Sequence, residues 1–207
     1  YLGLDGTQYE SVTLPFADAS SIGDYALTAV KALYTGGKII PAEEADFHDP
    51  VQEPLLRTAL LCSDATVDEN GEVGDPPETA LVRLGEDYGF DELVTRSKWP
   101  RITEIPFDSD RKMMSTVHQL SGGLLMVTKG AVDVLLDRCV ISDEERAQVE
   151  EANRYFSSQG LRVLAFACRT VDSPAVSLED ENDLTLLGLI AMMDPPRPES
   201  KAAVSEC

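Results

Sequence analysis

The chain is short of positive charge. Its 207 residues hold 17 Lys and Arg against 37 Asp and Glu, a formal net charge of −20 at pH 7. That deficit excludes a nucleic-acid-binding domain, which needs cations to neutralise phosphates. It also argues against direct contact with an anionic membrane surface. Long apolar runs are missing too. The longest, Leu184 to Met193, is interrupted by Thr185 and falls short of the about 20 residues that cross a bilayer. Cysteine is sparse. Cys62, Cys139, Cys168 and Cys207 form no CxxC pair and no metal-ligand spacing, so free thiols of a reducing cytosol are the plain reading. There is no repeat, no low-complexity linker and no N-terminal signal pattern. The first residue is Tyr1 rather than Met, so the chain reads as a piece of a longer one.

What is present is enough for a core. Hydrophobic residues make up 43% of the chain, which excludes wholesale disorder. The few cations are also unevenly placed. Residues 96–132 carry Arg96, Lys98, Arg101, Arg111, Lys112 and Lys129 against Glu104, Asp108 and Asp110, a net +3, while the rest of the chain sums to −23. An anionic ligand is to be sought on this positive island. The acidic surroundings predict weak binding that gains little at low ionic strength.

The patterning predicts alternating helices and strands. Tyr1 to Pro15 reads as a strand with a turn at Asp5-Gly6. Ile22, Ala26, Ala29, Val30 and Leu33 recur at helical spacing up to Gly36-Gly37, which predicts a helix. A second helix starts at Asp49-Pro50 and buries Leu55, Leu56, Ala59 and Leu60. Ser63 to Gly74 is turn-rich and acidic. Asp75-Pro76-Pro77-Glu78 starts a further helix, with Asp75 and Glu78 spaced as a capping box. Arg101 to Phe107 is a strand. Lys112 to Leu120 and Leu124 to Thr128 form a hairpin across Ser121-Gly122-Gly123. Ala131 to Cys139 and Ser142 to Gln159 are helices, the second with Ser142 and Glu145 as a capping box and Gly160 at its stop. Leu161 to Cys168 and Leu184 to Met192 are apolar strands. The fold class is therefore α+β, with a mostly antiparallel sheet flanked by helices. Asp194-Pro195-Pro196-Arg197-Pro198 continues no regular element and reads as a hinge.

Several residues can carry chemistry. Phe107 ends a strand, where a phenyl ring can stack on a nucleobase or simply join the core. Lys112 lies five residues on, able to meet a phosphate or a base edge. Lys129 ends the partner strand, and Gly130 admits a close backbone approach; the pair reads equally as a turn beside a solvated lysine. Arg162 can fork phosphate oxygens or form a surface ion pair. Glu78 can accept from an exocyclic amine or only cap its helix. His48 and His118 form no pair by spacing.

Taken together and in order, Gly74 to Leu81 (GDPPETAL), Phe107 to Ser115 (FDSDRKMMS), Lys129 to Ala131 (KGA), Gly160 to Ala165 (GLRVLA) and Asp194 to Glu199 (DPPRPE) resemble the nucleotide-binding domain of P-type cation-transporting ATPases. The branch they resemble is the calcium-pump-like one, in its bacterial form. Pro77 stands where the family usually has Thr, and Val132 where proline often follows KGA. Ser109 stands where some calcium pumps carry an arginine.

The resemblance implies a nucleotide-binding domain over residues 1–193, with 194–207 as the hinge and start of a phosphorylation domain. It implies ATP as ligand, Mg-ATP in the parent protein. Phe107 would stack on adenine and Glu78 would bond its edge. Lys112, Lys129 and Gly130 would line the pocket mouth, and Arg162 would contact the phosphate chain. The parent would be an integral membrane protein whose cytoplasmic domain this is, with the phosphorylation and membrane domains as partners and the fragment a monomer. The family's phosphorylated Asp lies in a DKTGT motif and its magnesium site in GDGxND. Neither string occurs here, so this chain would bind ATP without turning it over.

Two other readings compete. Asp108-Ser109-Asp110 after an apolar strand suggests a haloacid-dehalogenase-like phosphatase, but that chemistry wants D-x-D-x-T and the last position is Lys112. Asp64 to Glu72 suggests a non-enzymatic acidic module for calcium. An EF-hand loop with Gly71 at its sixth position would run from Thr66 to Pro77, and neither end is a suitable ligand.

Overall fold

The computed structural model describes residues 28–68 and 71–194. The strand expected at Tyr1 to Pro15, the positions Ile22 and Ala26, and the proline cluster after Asp194 lie outside the described residues. In chain order the elements are β1 (Ala29–Thr35), β2 (Lys38–Pro41), α1 (Glu53–Leu61), β3 (Thr66–Asp68), β4 (Gly71–Val73), α2 (Pro76–Asp87), α3 (Glu92–Lys98), β5 (Arg101–Asp108), β6 (Met113–Leu120), β7 (Gly123–Gly130), α4 (Val132–Leu136), α5 (Asp143–Ser158), β8 (Arg162–Val171) and β9 (Thr185–Met193).

Seven strands form one antiparallel sheet in the order β2-β1-β9-β8-β7-β6-β5, and β3 with β4 makes a separate small hairpin. Alternation along the strands divides the sheet's residues between two faces. On one face Leu33, Phe166, Ile190 and Met192 pack against Leu55 and Leu56 of α1 and Leu81 and Leu84 of α2. The same face continues through Met114 and Val127 to Leu61 and Cys62. On the other, Met113, Val117, Met126, Ala165 and Leu189 pack under Leu135 and Leu136 of α4 and Val149, Ala152 and Phe156 of α5. Helices on both faces of an antiparallel sheet give the α+β class that the patterning predicts.

The helix expected over Ile22 to Leu33 is a strand over its described part. β1 lies inside the sheet between β2 and β9, with Ala32 and Tyr34 packed in one core cluster and Leu33 in the opposite one, so both its faces are covered and Ala32, Leu33, Tyr34 and Thr35 are all buried. A strand buried on both sides loses its period of two, and the remaining apolar run matches a helical template by accident. Gly36-Gly37 is the two-residue hairpin turn to β2, with φ of +58° and +75°.

Other differences are smaller. Asp49 acts as expected of a cap, its Oδ1 accepting from Val51 N at 2.7 Å, but regular helix begins at Glu53. The acidic stretch Ser63 to Gly74 contains the β3–β4 hairpin. Asp75 and Glu78 do not form a capping box: the Asp75 side chain caps nothing, and Glu78 is turned elsewhere. The α5 box of Ser142 and Glu145 is present in full. Helix α3 is absent from the sequence reading.

Candidate functional site

The first turn of α2 leans over β7. Glu78 Oε1 forms an ion pair with the Lys129 ammonium, and Glu78 Oε2 accepts from Asp64 N at 2.8 Å and from Ser63 Oγ at 3.4 Å. Both side chains are largely enclosed, Lys129 at 8% and Glu78 at 15% exposed. A carboxylate offers about four acceptor sites. Among the described residues three are engaged, which leaves one lone pair for a further donor.

Phe107 reaches the same face through an irregularity. In β5 the register slips between Ile105, opposite Ser115, and Asp108, opposite Met113. Pro106 and Phe107 thus both oppose Met114, as in a β-bulge, which re-aims the side chains it carries. Met114 pairs with Lys129 across β6 and β7, and Lys129 with Phe166 across β7 and β8. The phenyl ring therefore joins the face that holds Lys129. It is 63% exposed, unusual for a ring of that size. Lys112 closes the turn between β5 and β6 at φ +54°, a left-handed conformation that few non-glycine residues adopt. Its ammonium extends outward, 3.9 Å from Asp133.

Arg162 opens β8 opposite Met192, on the face of Phe166 and Lys129 and at the same end of the sheet. Its guanidinium is half-exposed and pairs with Asp194, 2.9 Å from Nε. Asp194 also accepts from Thr28 Oγ1 at 3.3 Å, so Arg162 stands where the chain enters and leaves the described fold. Gly130 also has a structural reason. A Cβ there would lie 2.7 Å from Met113 Cβ and 2.8 Å from Lys112 O. The room goes to the neighbouring strand, which lets Ala131 N bond Lys112 O at 3.0 Å and close the Lys112 turn.

The positive island is largely structural. Arg96 donates to the carbonyls of Leu60, Ser63 and Ala65, and Arg101 to those of Leu61 and Ser63, so both satisfy the C-terminal end of α1 and the loop that follows it. Lys98 lies 4.6 Å from the Trp99 ring centroid. Arg96 and Arg101 line a cavity of about 250 Å³ with Ser63, Asp64 and His118, next to Glu78's partners. His118 is buried and its pKa is lowered to about 4, because burial disfavours the imidazolium. Its Nδ1 donates to Trp99 O at 2.9 Å, since a carbonyl can only accept, so Nε2 accepts from Thr116 Oγ1 at 2.8 Å. Burial also pushes the Cys62 thiol up despite the nearby Lys129 cation, which makes it a core residue rather than a nucleophile. Among the described residues no group of three His, Cys, Asp or Glu is placed to hold a metal ion.

The structure thus gathers Glu78, Phe107, Lys129 and Arg162 on one face at one end of the sheet, with Lys112 at the rim. Met114 joins them and is not among the residues the sequence reading singles out; its place two residues after Lys112, in alternation with Met113, is the signal.

Residues 52–199 match the family model described as P-type ATPase, cytoplasmic domain N. The chain is 36% identical to calcium-transporting ATPase 1 of Bacillus cereus, over 95% of this chain and 23% of that protein. It is 41% identical to a calcium-transporting ATPase of Listeria monocytogenes, over 73% of this chain and 19% of that protein. With the calcium-transporting ATPase of Bacillus subtilis the figures are 38%, 77% and 20%. The chain spans about a fifth of the length of the curated relatives it matches. It belongs to the P-type ATPases, as their cytoplasmic domain N.

Proposed function

We propose that this chain is the ATP-binding domain of a calcium pump. It presents ATP to an aspartate carried by a phosphorylation domain of the same parent protein. Phe107 stacks on adenine, which is worth about 1–3 kcal/mol by analogy with nucleobase stacking. The free lone pair of Glu78 accepts from the exocyclic amine. Lys129 holds that carboxylate in place and supplies positive potential beneath the base. Lys112 and Arg162 reach the phosphates, Arg162 by exchanging Asp194 for phosphate oxygens. Residues 1–193 form the domain, and 194–207 lead into the phosphorylation domain. In the parent the ligand is Mg-ATP, the metal is held outside this chain, and the domain faces the cytoplasm of an integral membrane protein. Alone, the chain is a monomer that binds and does not hydrolyse.

The observation that carries this reading is an exposed phenyl ring sharing a face with a half-buried, charge-balanced carboxylate that keeps one acceptor free among the described residues. The phosphatase reading loses support, because Asp108 Oδ1 accepts the amides of Asp110 and Arg111 and so serves the turn. Calorimetric titration of ATP into the chain and into Phe107→Ala and Lys129→Ala tests the proposal. Both substitutions weaken ATP at least about fivefold. Equal affinity for all three proteins refutes the assignment.

A further inference from the structure

We propose that Arg111 and Glu181 are positioning residues for the nucleotide site: together they hold the backbone turn that presents Phe107 and Lys112. The inference rests on the nucleotide reading above.

Neither Phe107 nor Lys112 is held by packing, since the ring is 63% exposed and the lysine side chain 56%. Their placement therefore depends on the backbone that carries them. That backbone is irregular twice, at the bulge before Asp108 and at the left-handed Lys112. Strained backbone persists only where its surroundings determine it. Arg111 is the determinant. Its Nη2 donates to Pro106 O at 2.7 Å and to Met113 O at 3.0 Å. Pro106 precedes Phe107 and Met113 follows Lys112, so one nitrogen ties both ends of the turn together. The Asp108 carboxylate holds its interior through the amides of Asp110 and Arg111.

Arg111 is paired in turn with the charge of Glu181, which lies 70 residues away in sequence, just before β9. Glu181 is fully buried. Its Oε2 is 3.0 Å from Arg111 Nε, an ion contact without hydrogen-bond alignment, and its Oε1 accepts from Ser115 Oγ at 2.7 Å. Ser115 Oγ lies 2.8 Å from Thr128 Oγ1 on β7. This network sits on the α4–α5 face, under the strands whose other face holds Met114 and Lys129. A buried carboxylate paired with arginine is a poor source of stability compared with apolar packing, and its best-attested use is to specify geometry. Here the geometry specified is the turn at the rim of the nucleotide face.

The test is an NMR titration of ATP into the 207-residue chain, which reads weak affinities and reports folding in the same spectra. Arg111→Ala and Glu181→Gln each weaken ATP about tenfold while the dispersed spectrum of the fold is kept. Arg111→Lys, which retains the charge and loses the planar fork, does not restore affinity. In a Phe107→Ala, Lys112→Ala background the same changes alter ATP affinity less than about twofold, because the residues they act through are gone. Unchanged affinity of Arg111→Ala in the wild-type background overturns the inference. So does a full tenfold loss in the doubly substituted background, which would mark direct contact or general damage. Should Arg111→Ala fail to fold, Glu181→Gln and Arg111→Lys carry the same criteria. ATP affinity unchanged by Phe107→Ala refutes the nucleotide reading itself, a different result from either.

Discussion

The Glu78–Lys129 pair allows its energetics to be predicted in detail. Removing one partner of an enclosed ion pair costs about 3–5 kcal/mol, mostly because the other charge is left buried. For Lys129→Met the residual carboxylate keeps the Asp64 amide at 2.8 Å and the Ser63 hydroxyl at 3.4 Å, so the loss falls at the low end, about 3 kcal/mol. Glu78→Ala is worse. It strips the Lys129 ammonium of its only acceptor among the described residues and leaves the Asp64 amide unpaired as well. The double substitution removes both charges, so its cost is smaller than the sum of the singles by at least about 1.5 kcal/mol. Urea unfolding followed by the fluorescence of Trp99, the single tryptophan, measures all four proteins. Arg57 and Lys98 lie 4.7 and 4.6 Å from its ring centroid, and both contacts are lost on unfolding. The matching fall in Tm for Lys129→Met is about 6–12 °C. Singles that each cost under about 1 kcal/mol, or a double equal to their sum, would refute a coupled, largely enclosed pair.

Further predictions follow from other sites. Gly188→Ala places a Cβ 2.1 Å from Tyr34 O at φ +149°, so it destabilises by more than about 3 kcal/mol or prevents folding, seen in thermal melts. His118 is neutral when folded and protonates near 6.5 when unfolded, so its contribution is full above that pH. It is lost as pH falls towards about 4, by up to about 3 kcal/mol, and His118→Gln flattens that part of the stability–pH curve. GTP binds at least about tenfold more weakly than ATP, because the guanine O6 acceptor would face the Glu78 carboxylate; competition titrations check this, and equal affinity removes Glu78 from base recognition.

Much of this architecture is legible in the sequence where local signals and tertiary demands agree. The α5 helix is readable from Ser142, Glu145 and Gly160, and the β6–β7 hairpin from alternation on either side of the glycines. Disagreement hides the rest. Helix α3 buries Glu92 and Thr95 and exposes Leu93 and Val94, the reverse of an amphipathic pattern, so no hydrophobic period announces it. The partner of Glu92 is Arg96, one turn on, which offsets part of the cost of its burial. The site is visible as a set of motifs, but its assembly is not. Nothing in Glu179-Asp180-Glu181 marks the third acid as buried and the first two as outward. Nor does Phe107 announce the bulge that turns it onto the face of Lys129.

The first and last described strands have a mechanical consequence. β1 and β9 run antiparallel, with Ala29 opposite Met193, and Thr28 and Asp194 meet just beyond them. A fold whose ends emerge side by side can be inserted into a host chain without spreading the host's own ends. Two adjacent tethers also let it swing as one body while resisting twist. A load pulling the two ends apart would meet the hydrogen bonds of this ladder one at a time, peeling it like a zipper. The first resistance would come from the cross-link of Thr28 and Arg162 to Asp194, and releasing Arg162 would be the first step by which force reached the sheet.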